Sequence, residues 1–367
     1  MPKVQSQFIW AKTGQCSLGN IDYLRLVMFS GKRELLAQGL YRSGAAFLLG
    51  QLPVRDSLLV LNYHRIGNPD EDPFDPGVFS ATADQLNEQI SYLKRRVSLV
   101  TLEEALAFVE GTIHETARCC RVLITFDDGY MDNYKLAFPI LRSLGVQGVF
   151  FLVTDIVGSC HVPWWDHIAY LMKSARQHRF SLSYPSDLVV DIDENGLTKS
   201  LRDVLSLYKR PENTDSARFI QDLRKASMGD DPPATLRRFL DWSEAREMIS
   251  GGMAIGSHTH THPILSQLGP EQQHQELAQS RAILAVQLGI NVDALAYPVG
   301  NVNSFSDQTE KLAREAGYRA SFSFYGGTNK AGMTRSYDIK RVGVGDQSWS
   351  RFQVQAAICK VTGSYWP

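Results

Sequence analysis

The chain has 367 residues, 44% of them hydrophobic and 21% charged, a globular mix that excludes a disordered, collagenous or coiled-coil protein. Its 38 basic residues against 39 acidic ones leave a net charge of −1, so nothing points to nucleic acid or to an anionic membrane surface as a partner. The length allows two domains or one α/β barrel. Five cysteines without a C-x-x-C pair exclude a zinc ribbon and a thioredoxin-type motif, and they suit a reduced compartment. Residues 1–20 are polar, with no apolar segment after a basic start, so the expected location is cytoplasmic. The longest apolar stretches, 45–49 and 149–153, fall far short of the roughly 20 residues of a spanning helix, and no transmembrane segment is expected.

In chain order, residues 1–53 read as an N-terminal helical extension. Leu35, Leu36, Leu40, Phe47 and Leu48 mark an amphipathic helix within 32–49, and Pro53 closes the stretch. A strand follows over 57–64, then a Pro-, Asp- and Gly-rich loop over 68–77, a helix over 82–95, a short strand over 97–101 and a helix over 102–110. The apolar run 121–126 is a strand leading into Asp127-Asp128-Gly129. A helix over 133–144 ends at Gly145, and 148–153 is the next strand. Continuous apolar strands alternating with helices predict a buried parallel sheet. Residues 160–241 break that rhythm and read as a mostly helical insertion. It resumes with a helix over 243–249 capped by Ser243, a strand over 253–256, a loop over 257–263 and a helix over 270–288. A strand over 294–297, a helix over 306–316 and a strand over 319–324 complete it.

Two clusters carry chemistry. Thr125-Phe126-Asp127-Asp128-Gly129 places two carboxylates at the end of a buried strand, where side chains of an α/β fold face the site. Neighbouring strand residues point to opposite sides, so one acid can bind a metal while the other works as a base. An Asp-Asp-Gly turn without a role fits the same residues. The second cluster, Ser257-His258-Thr259-His260-Thr261-His262-Pro263, holds three of the nine histidines. Imidazole is a common metal ligand. In an extended segment all three would share a face; in a helical turn only His258 and His262 would, although Pro263 disfavours a helix there. Two histidines and an aspartate with open positions suit zinc or a similar catalytic ion.

Together the two clusters resemble the polysaccharide deacetylases of the NodB-homology type, carbohydrate esterase family 4, over roughly residues 57–345. The resemblance implies a distorted (β/α)7-type barrel spanning 54–350, with the helical insertion at about 160–241 and a tail over 351–367. It implies Asp127 as catalytic base, Asp128, His258 and His262 as ligands of one divalent ion (zinc, with cobalt, nickel and iron suited to the same set), and Thr259 as a brace of the ligand loop. His260 falls at a variable position. The family's Arg-x-Pro-Tyr-Gly motif reads Ala296-Tyr297-Pro298-Val299-Gly300 here, so the arginine that would hold the base is replaced by Ala296. Backbone of this loop forms part of the family's oxyanion hole, which implies Tyr297. The family's C-terminal Leu-x-His is missing, for no histidine follows His274. The candidate proton donor is then His64, because the Tyr63-His64 strand end resembles the branch of the family whose acid histidine comes from an N-terminal Tyr-His strand end. It would sit on the same rim with its pKa raised by a neighbouring carboxylate, and a purely structural histidine fits the same position. Trp164-Trp165 suits either a sugar-stacking platform or insertion core. The implied function is metal-dependent removal of N-acetyl groups from an amino-sugar-containing glycan or glycan precursor. Related amide or ester hydrolysis, and a non-catalytic carbohydrate-binding role, are the rival readings.

Overall fold

The computed structural model describes residues 35–44, 56–112, 120–233, 237–345 and 348–362. Seven parallel strands close into a barrel: β1 (Ser57–Tyr63), β2 (Cys120–Phe126), β3 (Gly148–Leu152), β4 (Ala254–Ser257), β5 (Ala294–Ala296), β6 (Ala320–Ser323) and β7 (Ile339–Gly343). Each strand pairs with its neighbour in the chain, and β7 returns to pair with β1, which removes the sheet edges. This is the seven-stranded barrel that the resemblance implied.

The register determines what faces inward. Val60 lies opposite Leu123 on one side and Arg341 on the other, and Asn62 lies opposite Thr125. The lower interior is apolar, filled by Leu58, Val60, Leu123, Val149, Phe151, Phe322 and Ile339, and the helix Leu102–Glu110 packs against it. Alternation along each strand then carries the inner face upward to Asn62 on β1, Thr125 on β2 and Arg341 on β7. The outer strand faces pack on the helices Ala83–Lys94, Phe138–Leu144, Pro270–Leu288 and Asp307–Glu315 in one continuous core.

Several local expectations need adjustment. The helix Trp242–Ser250 is capped by Asp241, whose carboxylate accepts the N–H groups of Ser243 and Glu244; Ser243 is not the cap. Residues 133–137 form a wide helical turn before the regular helix Phe138–Leu144. The insertion contains the helices Trp164–Lys173, Leu197–Tyr208 and Ser216–Ser227, and also an antiparallel hairpin of Arg179–Leu182 with Leu188–Asp191. These elements share a core of their own around Ile168, Leu171, Phe180, Val204 and Phe219. β7 had no counterpart in the sequence reading. Its run Ile339-Lys340-Arg341-Val342-Gly343 carries two adjacent cations and lacks a continuous apolar pattern. Of the helix expected within 32–49, residues 35–42 are helical and the rest lies outside the described residues. Residues 349–362 form a helix at the start of the stretch read as a tail, and its Val354 packs on Ala37. No helix among the described residues is long and apolar enough to cross a membrane.

Candidate metal centre and active site

Asp127 ends β2 on the inner face and is buried. Its carboxylate accepts two hydrogen bonds from the Arg341 guanidinium, at 2.7 and 2.9 Å, and one from Asn62 Nδ2 at 3.0 Å. Arg341 is fully buried and also donates to Asn62 Oδ1 and to the Ser323 carbonyl. Burial alone would raise the Asp127 pKa. The charges of Arg341, His258 and His64 and the Arg341 hydrogen bonds together outweigh it and hold the carboxyl well below the usual range. The arginine missing at residue 296 is therefore supplied from β7, 214 positions along the chain from Asp127. Sequence reading missed Arg341. The available signal was a charged residue in an Ile-Lys-Arg-Val-Gly stretch that a surface turn explains equally well.

Asp128 follows with φ +74° and Gly129 with φ +78°. This left-handed turn swings the second carboxylate back toward the barrel mouth, where a regular strand would have pointed it outward. The positive φ favours glycine at position 129, and a Cβ there would also crowd Leu152 Cδ2 at 2.7 Å. Asp128 Oδ1 stands 3.6 Å from both His258 Nε2 and His262 Nε2, and one donor atom from each of the three residues falls within 4.8 Å of the others. The loop that carries the histidines is neither extended nor helical. Thr259 and His262 both take positive φ, +66° and +61°. Thr259 Oγ1 accepts the His262 N–H at 3.1 Å, and the Glu276 carboxylate accepts the N–H groups of His260 and Thr261. His260 turns away, its ring between Thr154 and Gln279.

The donor set suits a divalent cation. Burial lowers the pKa of both imidazoles and so keeps them neutral. Burial, with the charges of Asp127 and Asp166, pushes the Asp128 carboxyl well up. Two neutral imidazoles and a carboxylate that needs a counter-charge form such a cation's ligand set. His258 Nδ1 is paired with the Ala296 carbonyl at 2.8 Å, which aims Nε2 at the centre. His262 Nδ1 has no partner among the described residues, and its ring rests instead on Trp165, 4.4 Å between centroids. Trp165 is held in turn: its Nε1 donates to Tyr130 Oη at 2.6 Å, Tyr130 Oη donates to Asp166, and Arg238 pairs with Asp166 at 3.1 Å. Trp165 is thus packed against the ligand set. Trp164 borders the cleft, with its ring stacked on Tyr208.

His64 Nε2 lies 3.9 Å from Asp127 Oδ2, in the cleft that Lys209 and Trp164 also line. The expected upward shift of its pKa is corrected: burial lowers it to about 4, more than Asp127 raises it. Tyr297 borders the cleft, but it does not offer its N–H. That group donates to the Phe322 carbonyl at 3.0 Å as part of the β5–β6 ladder, and the hydroxyl donates to the Tyr337 carbonyl. Two residues on, Val299 takes φ +62° and faces the cleft, and its N–H has no acceptor among the described residues. In the Arg-x-Pro-Tyr-Gly alignment it is Val299, not Tyr297, that occupies the position of the motif's tyrosine.

Comparison with known proteins agrees with this architecture. A polysaccharide deacetylase family model matches residues 114–321. The chain is 30% identical over 118 residues to a Staphylococcus epidermidis protein named poly-beta-1,6-N-acetyl-D-glucosamine N-deacetylase, covering 29% of this chain and 39% of that one. It is 23% identical over 220 residues to YxkH of Bacillus subtilis, covering 60% and 50%. The chain thus spans half or less of the length of these curated relatives. The fold superposes on IcaB from Ammonifex degensii (TM-score 0.54, 20% identity, 83% of this chain and 100% of that one). It also superposes on the Streptococcus pyogenes deacetylase PplD, solved with acetate (TM-score 0.53, 18% identity, 83% and 98%). With more than half of the chain matched by the family model, this protein belongs to the polysaccharide deacetylase family.

Proposed function

We propose that the chain is a metal-dependent hydrolase that removes N-acetyl groups from amino-sugar residues of a glycan or glycan precursor. The observation that carries this reading is the pairing of an Arg341-locked carboxylate, Asp127, with an Asp128–His258–His262 donor set at one cleft mouth. The names of the S. epidermidis relative and the S. pyogenes structure support the same reaction class. Asp128, His258 and His262 would hold a divalent ion, which would supply a Lewis acid able to polarise the acetamide oxygen and acidify a water.

The chain's own residues do the rest. Asp127, kept ionised and fixed in orientation by Arg341 and Asn62, accepts the proton of the attacking water. The Val299 N–H, without an acceptor among the described residues and at the cleft, takes the oxyanion role that the resemblance implied for Tyr297. His64 hands a proton to the departing amine. With a pKa near 4 it is neutral before the reaction, so it takes up the proton that Asp127 has accepted and passes it on. Thr259 keeps His262 in its left-handed turn.

The test is acetate release from N-acetylglucosamine oligosaccharides, with product masses read by mass spectrometry. Chelator-treated protein should be inactive and should recover with added zinc, cobalt or nickel. Turnover of O-acetylated sugars without any amide cleavage would replace this reading with the esterase one. Tight glycan binding with neither reaction would favour the non-catalytic one.

A further inference from the structure

The cleft does not end at the donor set. From His64 it continues along the insertion as a cavity of about 460 Å³, within the roughly 300–1,000 Å³ typical of small-molecule sites. One wall is the helix Leu197–Tyr208, which turns Thr198, Leu201, Arg202 and Leu205 to the cavity at helical spacing, with Lys209 just past its end. Lys209 also borders the donor-set pocket, so it stands where the two spaces join. No carboxylate among the described residues pairs with its ammonium, whose Nζ lies 5.8 Å from the centroid of the Trp164 ring. Its pKa is lowered by desolvation in the cleft, against which the charge of Asp75 acts in the opposite direction. The one carboxylate lining the extension, Asp75, has Oδ1 engaged by the Gly77 N–H at 2.8 Å. At the inner end the Asp127 charge is matched by Arg341. The extension is thus lined by two cations, Arg202 and Lys209, against the single carboxylate of Asp75, while Trp164, stacked on the buried Tyr208, borders the donor-set pocket next to it.

We propose that this extension binds a sugar residue bearing an anionic substituent, next to the N-acetylated sugar at the donor set, with Lys209 as its counter-ion. The proposal rests on the reading of the site as a glycan deacetylase. It makes the insertion the element that selects among glycans, favouring an acidic chain over a neutral one.

The experiment compares two tetrasaccharides on the full chain reconstituted with zinc. Tetra-N-acetylchitotetraose is neutral, whereas a hyaluronan tetrasaccharide alternates N-acetylglucosamine with glucuronate. The expected result is a KM about tenfold lower for the acidic substrate at low salt, with the gap narrowing as salt screens the charge. Lys209→Ala should raise the KM of the acidic substrate about tenfold more than that of the neutral one. Lys209→Glu should reverse the preference, and Lys209→Arg should restore it. Competition by free glucuronate against inorganic phosphate separates a carboxylate subsite from a phosphate one. Equal KM values in the unaltered protein, or a preference that survives Lys209→Glu, would overturn the proposal. If neither tetrasaccharide releases acetate, the deacetylase reading fails by itself and calorimetry decides the subsite. Tighter binding of the acidic sugar that Lys209→Glu abolishes upholds it, and equal binding overturns it.

Discussion

Replacing Arg341 by Met tests how the proposed base, Asp127, is held. Both charges of the Arg341–Asp127 pair are buried, with side-chain exposures of 0% and 3%. The contact is a two-pronged one, and Asn62 bonds both partners. Removing one partner of such a pair leaves an uncompensated buried charge and costs about 3–5 kcal/mol of stability. The Asp127 pKa is depressed in the folded protein, because burial, the largest single effect, is outweighed by the charge and hydrogen bonds of Arg341 together with His258 and His64. The pair's contribution to stability is therefore present above the unfolded carboxylate value of roughly 4 and is lost as pH falls through the folded value. Without Arg341, burial dominates and the pKa rises. Since each unit corresponds to about 1.4 kcal/mol, the acidic limb of kcat/KM should move up by at least about one pH unit. Arg341→Lys keeps the charge but not the fork, and should fall between the two. The assays are a pH–rate profile and urea unfolding. The Asp127→Asn/Arg341→Met double variant, with no orphaned carboxylate, should be more stable than Arg341→Met alone. The reasoning is refuted if Arg341→Met unfolds within about 1 kcal/mol of the parent and its acidic limb has not moved.

Further outcomes are expected at the same site. His258→Ala or His262→Ala should lower bound metal and activity together by elemental analysis, whereas His260→Ala, with its ring on Thr154 and Gln279, should do much less. Asp127→Asn should keep its metal and lose roughly 10²–10⁴ in rate; near-normal turnover would place the base elsewhere. His64→Ala should slow acetamides far more than aryl acetates, whose leaving group needs no proton. With its pKa near 4, His64 should produce no alkaline limb, and a limb between about pH 6 and 8 that His64→Ala removes would show an acid protonated in advance. Trp165→Leu, which strips the ring from the face of His262, should weaken metal affinity about tenfold in a chelator competition. Unchanged affinity with a lowered melting temperature would make Trp165 mere packing.

Much of this protein is written locally. The apolar runs 57–63, 120–126 and 148–152, the helices between them and the glycine after Leu144 act through short-range periodicity and capping, and a linear reading recovers them. The two dense motifs do the same for the donor set, because Asp127-Asp128 and the His258–His262 loop each concentrate rare chemistry in five residues or fewer. What the chain alone did not disclose depends on closure of the barrel. Arg341 reaches Asp127 only because β7 pairs with β1 and turns the residue inward, and a strand with two adjacent cations has no apolar periodicity to announce it. Whether Tyr297 or Val299 offers an N–H was decided by the β5–β6 ladder, which engages the first and leaves the second. The choice between extended and helical histidine loops was settled by neither pattern, since side-chain and backbone bonds from Thr259 and Glu276 stabilise positive φ values that no periodicity encodes. His64 is the sharpest case. Its position on the rim follows from strand order, but its protonation state follows from burial, which depends on everything packed around it.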